Sequence, residues 1–397
     1  MSFSFSPGLI PRNNWDYTLG DLLSAIGAIF ARNADKHEAF IRMFGKKPLF
    51  TSSGRSSLYA VLKALHLPIG SQVGVPLYCC SVVFDAIRRA GLQPKFIDIS
   101  ENTFTLSNED LRRKKKSLRA LVAVHLFGHP VEMDMLLDEV GDIPIIEDCA
   151  QSLFSEYKGR QTGFITGLSF FSFRSGKFLS IGEGSAIFCN DLSTEQEIVS
   201  TIDSYKTWTN TEMVVHCIAT YAKSSLYKRP WYGTLGYSIG TRLDKRLNLT
   251  SKTGLELRKI AQSDLGLLAK RLGNFREKVE KQRQNAYFLI DAINANNLSK
   301  PTEVEGTKSS FFQFPLRFDS PLQRDTMWRA LIARGIDSAR YLDDVVEIAR
   351  RDHGYKGDCP VAEKCSKTVL LIPHYYTLSD ADLDHVAESV NRISVSL

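Results

Sequence analysis

Cysteine is scarce in this 397-residue chain, and its placement does not suit a metal or disulfide site. The cysteines form no CxxC pair, are odd in number and mostly lie inside apolar runs, at Cys79, Cys80, Cys149, Cys189, Cys217, Cys359 and Cys365. That arrangement argues against a disulfide framework and against a zinc site. We therefore expect reduced cysteines in the core and no bound metal.

Long apolar runs are missing as well. No uncharged stretch approaches the roughly 20 residues that a membrane-spanning helix needs. The first residues, MSFSFSPGLIPRNNWDY, lack a basic segment followed by an apolar one. The sequence thus predicts no stable membrane insertion and a cytoplasmic location. The length and the 43% hydrophobic content exceed what one small core requires, so we expect a large domain, 1–254, and a smaller one, 255–397.

The chain also lacks a strong charge imbalance, because its net charge is +6. The basic run 112–116 (RRKKK) has no interleaved aromatic residues, so it is more typical of a solvated helix end than of a nucleic-acid site. We expect no nucleic-acid partner. The segment 205–252 carries eight basic residues against two acidic ones, with tyrosine and tryptophan among them. Such a mixture can hold an anionic ring-bearing ligand, a partner subunit or a membrane surface.

The first part of the chain alternates between short apolar runs and amphipathic runs. The patterns predict strands at 71–76, 94–99, 121–127 and 144–147 and helices at 19–31, 58–65, 81–90 and 131–140. Buried strands separated by helices favour an α/β fold with a mostly parallel, doubly wound sheet. After one or two long helices in 255–293, strands at 311–318 and 369–372 and helices at 322–334 and 381–393 predict a smaller α+β domain.

The stretch 167–185, GLSFFSFRSGKFLSIGEGS, places a lysine just after a strand-like run, 168–173. Lys177 lies between aromatic residues and next to turns at Gly182 and Gly184. A lysine amine must lose a proton before it attacks a carbonyl, and burial favours that loss. Taken alone, the residue fits an exposed loop charge better.

Two further features lie at the same predicted edge of the sheet as Lys177. Ligands of such sheets gather at this edge, where the carboxyl ends of the strands lie. The run 50–57, FTSSGRSS, precedes a helix and leaves backbone N–H groups for a phosphate, although an ordinary helix cap explains it too. Asp148 ends a buried strand. Together with Lys177 these features fit pyridoxal phosphate (PLP), whose aldehyde takes a lysine and whose ring nitrogen takes a carboxylate.

In several segments, which include the residues just described, the chain resembles the fold type I sugar aminotransferases of the DegT/StrS family. The resemblance is carried by 53–58 (SGRSSL), GVPLYCCSVVFDAIRRAGLQPKFIDI (74–99), VHLFGHPVEMD (124–134), IIEDCAQS (145–152), FSFRSGKFLSIGEGSAI (171–187) and GDCPVAEKCSKTVLLIPHYYTLSDADLDHV (357–386). These segments are spread over most of the chain. The resemblance implies a fold type I PLP-dependent transferase that forms a homodimer with its sites at the interface.

The resemblance also implies roles for individual residues. It makes Lys177 the Schiff-base lysine and general acid–base, and Asp148 the partner of the pyridine nitrogen. Gln151 would hydrogen-bond the cofactor's phenolic oxygen. The cofactor phosphate would be bound by Ser172, Gly54, Arg55 and Ser56. Cys80 stands where the family has an aromatic residue stacked on the ring, and Tyr78 is the alternative residue for that place.

The expected function is a PLP-dependent transfer of an amino group to a keto sugar, nucleotide-linked and used in polysaccharide biosynthesis, with glutamate as the donor that the resemblance implies. Related dehydratases carry histidine at the lysine position, so Lys177 argues against dehydration. A non-catalytic PLP-binding regulator or assembly protein is a further alternative. It is kept open by Cys80 and by the segment 205–252, which replaces the family's GxNxR segment.

Overall fold

The computed structural model describes residues 7–31, 37–239 and 256–397. In chain order its strands are β1 (Leu49–Thr51), β2 (Gln72–Pro76), β3 (Gln93–Ile97), β4 (Leu118–Val124), β5 (Ile145–Asp148), β6 (Glu156–Tyr157), β7 (Arg160–Gln161), β8 (Leu168–Ser172), β9 (Ser185–Cys189), β10 (Leu298–Ser299), β11 (Thr307–Lys308), β12 (Phe314–Phe318) and β13 (Val369–Ile372).

A seven-stranded sheet with strand order β1-β9-β8-β5-β4-β2-β3 forms the centre of the fold. The strands from β8 to β3 pair in parallel, whereas β9 runs antiparallel to β1 and β8. Their residues are largely buried, as expected for a parallel sheet covered on both faces. The predicted α/β fold with a mostly parallel sheet is therefore confirmed.

The helices are α1 (Leu19–Phe30), α2 (Glu38–Phe44), α3 (Gly54–Ala64), α4 (Val82–Arg89), α5 (Asn108–Lys114), α6 (Met133–Val140), α7 (Leu192–Asp203), α8 (Asn210–Leu226), α9 (Gln262–Leu272), α10 (Phe275–Ala292), α11 (Pro321–Ala333), α12 (Val345–His353), α13 (Pro360–Thr368) and α14 (Asp380–Ser394). Several of them begin with a capping box, in which a hydroxyl and an acidic or amide side chain pair with backbone N–H groups, at Thr18, Thr209, Ser320 and Ser379. None of the helices in the described ranges combines the length and the hydropathy that crossing a bilayer requires.

The carboxyl-terminal part contains a three-stranded antiparallel sheet, β10-β12-β13. Its core joins that sheet to α10, α11 and α14. Helix α10 reaches both halves of the molecule, since Phe275 and Val279 pack in a core of the large sheet and Ala286 and Leu289 pack in the carboxyl-terminal core. The predicted domain boundary at residue 254 lies outside the described residues, and the two-domain division stays a prediction.

Several element boundaries differ from the sequence prediction for local reasons. Strand β4 ends at Val124 rather than at residue 127, because Phe127 adopts a positive φ of 59° in a short turn that a strand cannot contain. Phe311 likewise has a φ of 44°, so β12 begins only at Phe314. Strands β1 and β9 were not predicted. The basic run 112–116 is also less solvated than predicted, since Lys114 pairs with Asp110 and Asp358 at 2.8 and 2.9 Å.

The amino-terminal segment is anchored by one buried carboxylate. Asp16 accepts hydrogen bonds from Lys278 at 2.9 Å and from Arg271 and Tyr376. Burial alone would raise the pKa of Asp16, but Arg271 and then Lys278 outweigh that effect and lower the pKa to about 2. The charged carboxylate therefore stabilises the fold and holds this segment against α9 and α10.

We predict that Asp16→Asn destabilises the protein by about 2 kcal/mol at neutral pH. Because the folded pKa lies below the unfolded value near 3.8, this stabilisation is present above about pH 4 and is lost as the pH falls towards about 2. Denaturant midpoints of both proteins across this pH range measure the difference. Asp380→Asn, which removes an exposed carboxylate, is the control. A difference that stays constant down to the lowest pH would contradict the assignment.

Candidate active site

A cavity lies at the carboxyl ends of β5 and β8, where α3 begins. We call it the inner cavity. Its lining includes almost all the site residues predicted from the sequence, namely Gly54, Arg55, Cys80, Asp148, Gln151, Ser172 and Lys177. Residues that are far apart in the chain therefore meet at the predicted edge of the sheet, whereas Ser56 does not line this cavity.

Asp148 is the last residue of β5 and is 5% exposed. The sheet register holds it between Val124 of β4 and Phe170 of β8. One carboxylate oxygen accepts the N–H of Ala150 at 3.0 Å, and the other makes no hydrogen bond within the described residues. Burial raises the pKa of Asp148, although the Ala150 N–H and Lys177 act in the opposite direction. The free oxygen is thus a desolvated acceptor that a cationic or N–H-bearing ligand would satisfy.

Lys177 follows β8 in a turn that backbone hydrogen bonds fix. Its own N–H donates to the Arg174 carbonyl at 2.9 Å, and the N–H of Ser175 donates to the Gly182 carbonyl at 2.8 Å. The Lys177 amine forms no ion pair within the described ranges, and Asp148 acts on it only as a nearby charge. Burial lowers the pKa of this amine, against the opposing effects of Cys80 and Asp148. A lowered pKa increases the share of neutral, nucleophilic amine.

The start of α3 closes the other end of the inner cavity. Ser53 caps the helix by accepting the N–H of Ser56 at 3.2 Å, while the N–H groups of Gly54 and Arg55 have no acceptor among the described residues. A Cβ at Gly54 would lie 3.3 Å from the Phe170 ring and 3.5 Å from Cβ of Ser172. Glycine therefore lets the helix start approach the end of β8 and leaves donors for an anion.

The Ser56 side chain makes its hydrogen bonds within the protein. Its hydroxyl is buried, lies 2.9 Å from the Ser53 hydroxyl and donates to the Glu256 carbonyl at 3.3 Å. The helix cap thus directs this side chain away from the inner cavity. The hydroxyl therefore has partners within the protein, and its contact with a phosphate stays a prediction.

Gln151 is engaged on both sides of its amide. Its oxygen accepts the N–H of Phe127 at 3.0 Å, and its nitrogen donates to the Tyr341 hydroxyl at 2.8 Å. Tyr341 was not predicted as a site residue. It comes from the carboxyl-terminal part of the chain, and no motif around it marked it in the sequence. The pair links the floor of the inner cavity to the carboxyl-terminal region.

The two residues considered for the ring-stacking place differ in position. Cys80 lines the inner cavity and influences the pKa of Lys177, so it lies close to the reactive amine. Tyr78 is fully buried, and its hydroxyl donates to the backbone carbonyl of Tyr341 at 3.0 Å. It packs 6.2 Å from Phe104, measured between ring centres. Tyr78 does not line the inner cavity, whereas Cys80 does, and the stacking role of either residue stays a prediction.

A second cavity of about 420 Å³ adjoins the first, and Lys177 lines both. We call it the outer cavity. Its walls carry polar side chains from the amino-terminal segment, such as Arg12 and Asn13, and from the carboxyl-terminal part, such as Arg340, Asp343 and Tyr376. Its volume lies in the range of small-molecule sites. A ligand in this cavity would reach the Lys177 amine.

Two cationic side chains of the basic segment 205–252 make hydrogen bonds inside the protein. Arg229 donates to both oxygens of Asp382, at 2.8 and 2.6 Å. Lys228 donates to the backbone carbonyl of Tyr17 at 2.8 Å. These residues join the segment to the two ends of the chain, and the Arg229 charge is paired with a carboxylate. The part 240–255 of this segment lies outside the described residues.

A buried group of His125, Glu147 and Cys149 lies beside the inner cavity, with potential metal ligands within 4.8 Å of one another. The Glu147 carboxylate, however, accepts backbone N–H groups at 2.7 to 2.9 Å from Gly163, Ile165 and Thr166. Burial acts against its charge, but these bonds and His125 lower the pKa of Glu147. The carboxylate therefore fixes the loop before β8 and is not available as a metal ligand.

Residues 32–391 match the DegT/DnrJ/EryC1/StrS aminotransferase family. The chain belongs to this family. It has the fold of the type I PLP-dependent enzymes, and it is a PLP-dependent aminotransferase whose cofactor is pyridoxal 5′-phosphate. The family resemblance expected from the sequence is thus confirmed, whereas the roles of the individual site residues stay predictions.

Curated relatives cover most of the chain at low identity. The chain is 23% identical to GDP-perosamine synthase of Escherichia coli O157:H7 over 86% of its length and 84% of the relative's. It is 24% identical to dTDP-4-dehydro-2,3,6-trideoxy-D-glucose 4-aminotransferase of Saccharopolyspora spinosa, over 93% of both chains.

A solved structure of E. coli GDP-4-keto-6-deoxy-D-mannose-3-dehydratase with bound hydrated PLP shares the fold. The TM-score is 0.75 at 20% identity, and the match covers 96% of this chain and 99% of that one.

We predict that Gln151→Leu lowers the thermal midpoint of the cofactor-free protein, because the buried N–H of Phe127 loses its acceptor, at a cost of about 1–3 kcal/mol. Tyr341→Phe is the matched control, since it removes a hydroxyl and leaves the Phe127 N–H paired; its midpoint should fall less. Thermal unfolding of both variants measures the effect. Equal midpoints for the Gln151→Leu protein and the wild type would contradict the prediction.

Proposed function

We propose that the protein transfers an amino group from an amino-acid donor, glutamate by family analogy, to a keto sugar carried on a nucleotide. The proposal is supported by the names of the relatives, which include a GDP-sugar synthase and a dTDP-sugar 4-aminotransferase. The single observation that carries it is that Lys177 and Asp148 line one cavity, and that each has a polar atom without a protein partner in the described ranges.

The inner cavity would offer partners for the ring nitrogen, the aldehyde and the phosphate of PLP. Bound PLP supplies an aldehyde and an electron-accepting ring. The free oxygen of Asp148 would accept the ring N–H and keep that nitrogen protonated. The N–H groups of Gly54 and Arg55 and the Ser172 hydroxyl would hold the phosphate. The helix dipole and the Arg55 guanidinium add positive charge there.

Lys177 would serve twice. As a neutral amine it would hold the cofactor's aldehyde with loss of water, and once the donor's amine has displaced it, it would carry a proton between the substrate carbon and the cofactor. Its lowered pKa suits both roles, because a general base works best when its pKa lies near the working pH. Since Lys177 also lines the outer cavity, the sugar would lie there, where polar side chains match its hydroxyl groups.

The fold is shared with the E. coli dehydratase and, at the same TM-score of 0.75, with a DegT DnrJ EryC1 StrS aminotransferase from Brucella abortus, so it does not separate dehydration from amine transfer. Lys177 argues against dehydration, because the dehydratases of the family that this sequence resembles carry histidine at that position. The non-catalytic alternative predicts a protein that binds PLP and does not respond to amino donors. The homodimer, the cytoplasmic location and a place in polysaccharide biosynthesis stay predictions.

We predict that borohydride attaches PLP covalently to Lys177 when the two are incubated together, because reduction fixes the bond between the amine and the aldehyde. Peptide mass mapping would locate the added mass on the peptide that contains Lys177. Lys177→Arg, which keeps the positive charge, should not be labelled. Label on a different lysine in the wild-type protein would overturn the assignment. In parallel, amine transfer from glutamate to a panel of nucleotide-linked keto sugars tests the activity.

We predict that Asp148→Asn lowers the rate of amine transfer by at least roughly 100-fold, since an amide cannot keep the ring nitrogen protonated. The variant should still be labelled at Lys177 by borohydride, which separates a chemical defect from a loss of binding. The rates of the variant and of the wild type are compared at saturating concentrations of the donor and acceptor that the wild type uses. An unchanged rate would refute the role of Asp148.

A further inference from the structure

The charged groups of the outer cavity are distributed unevenly. Arg340 lies 3.5 Å from Asp343, which lines the same cavity, and packs over the Trp328 ring at 4.5 Å. Burial lowers the pKa of His374 to about 4, and the residue is neutral at neutral pH. Among the described residues that line the outer cavity, Arg12 is then the one cation, apart from Lys177, whose acidic partner lies outside the lining.

Arg12 is placed by pairing between the two ends of the chain. The N–H of Ile10 donates to the Gly335 carbonyl at 2.8 Å, and the N–H of Asp337 donates to the Ile10 carbonyl at 3.0 Å. These bonds bring the amino-terminal segment alongside residues 335–337. Arg12 thereby reaches the rim of the outer cavity, although it lies far from the other site residues in the sequence.

A buried carboxylate fixes one edge of the Arg12 guanidinium. Its Nε donates to Asp337 at 2.6 Å, and Asp337, which is 1% exposed, also accepts the hydroxyl of Tyr232. This contact uses Nε, and Tyr232 also interacts with the Arg12 side chain. The two terminal nitrogens form no ion pair within the described ranges. The Arg12 side chain is 25% exposed and lines the outer cavity. The guanidinium is therefore held in orientation before any ligand binds, which reduces the entropy lost on binding.

A guanidinium held in this way suits a carboxylate. Its planar N–H groups match the two oxygens of a carboxylate, and charge-assisted pairs of this kind are stronger than neutral hydrogen bonds. A diphosphate would bring at least two negative charges and would favour a second cation beside Arg12. The other arginine of the lining, Arg340, is paired with Asp343. The lining also carries Asp343 and Asp344, whose carboxylates favour hydroxyl or ammonium groups instead.

We propose that Arg12 is the anion subsite of the outer cavity and binds a carboxylate of the amino donor, with Asp337 and Tyr232 as positioning residues. This inference rests on the proposed aminotransferase function. The donor's amino group would then lie towards Lys177, which lines the same cavity. Both substrates of the proposed reaction carry anionic groups, so the test separates the donor carboxylate from the phosphates of the acceptor.

The test compares Arg12→Gln with wild type in two half-reactions of the PLP-loaded protein, each followed by the cofactor absorbance. One uses glutamate alone, and the other uses the amino sugar nucleotide alone. Arg12→Gln should raise the glutamate concentration for half-maximal conversion by about 10- to 100-fold, the loss expected for one charged hydrogen-bonded contact. The value for the amino sugar should change less than about threefold. Arg276→Gln, which replaces an arginine packed on Phe154 outside the cavity lining, is the matched control.

Binding without turnover is measured by calorimetry with glutarate, which has the carboxylates of glutamate and no amino group. Arg12→Gln should weaken glutarate binding by a similar factor, and Tyr232→Phe, which frees Asp337 on one side, by a smaller one. An effect confined to the amino sugar, an equal effect on both substrates, or no effect would overturn the proposal.

Failure of this inference can be told apart from failure of the proposed function. A wild-type protein that is not labelled at Lys177 by borohydride, or that transfers no amine, refutes the proposed function. A wild-type protein that does both, with an Arg12→Gln variant that matches it, refutes the subsite alone. Labelling at Lys177 and the thermal midpoint of the variant verify that it is folded. If Arg12→Gln does not fold, Tyr232→Phe decides the question, and unchanged glutarate binding in that variant overturns the proposal.

Discussion

The burial of Asp148 at the end of a parallel strand is the constraint on which the rest of the site depends. A carboxylate in that place is costly unless donors satisfy it, and the protein supplies one N–H, from Ala150. Lys177 shares the cavity without forming an ion pair with it. The space between the two groups therefore suits a ring that presents a proton to the acid and an aldehyde to the amine. The parallel register of β4, β5 and β8 holds this arrangement in place.

Sequence patterns predicted the parts of the site that local structure determines. Lys177 follows a strand, Asp148 ends one and Gly54 begins a helix, and a parallel sheet brings such ends to one edge. The patterns could not predict contacts that depend on long-range packing. Gln151 meets Tyr341 across 190 residues, and Arg12 meets Asp337 across 325. The direction of the Ser56 hydroxyl likewise depends on the helix cap and not on its spacing from Gly54.

The amino-terminal segment connects stability with the site. Asp16 fixes it to α9 and α10 and to Tyr376, which lines the outer cavity, while Ile10 pairs it with the carboxyl-terminal part. The basic segment adds Tyr232 and Arg229 to the same junction. Three separate parts of the chain thus meet at the outer cavity, so the shape of the substrate site depends on how these parts pack together.

The most direct test of the central claim is nitrogen NMR of the protein loaded with PLP that carries nitrogen-15 at its pyridine nitrogen. If Asp148 holds the ring proton, the nitrogen of the wild-type complex gives the signal of a protonated pyridine throughout the neutral pH range. In Asp148→Asn it gives the signal of an unprotonated one at the same pH. An unprotonated ring in the wild-type protein, or the same signal in both proteins, would contradict the account.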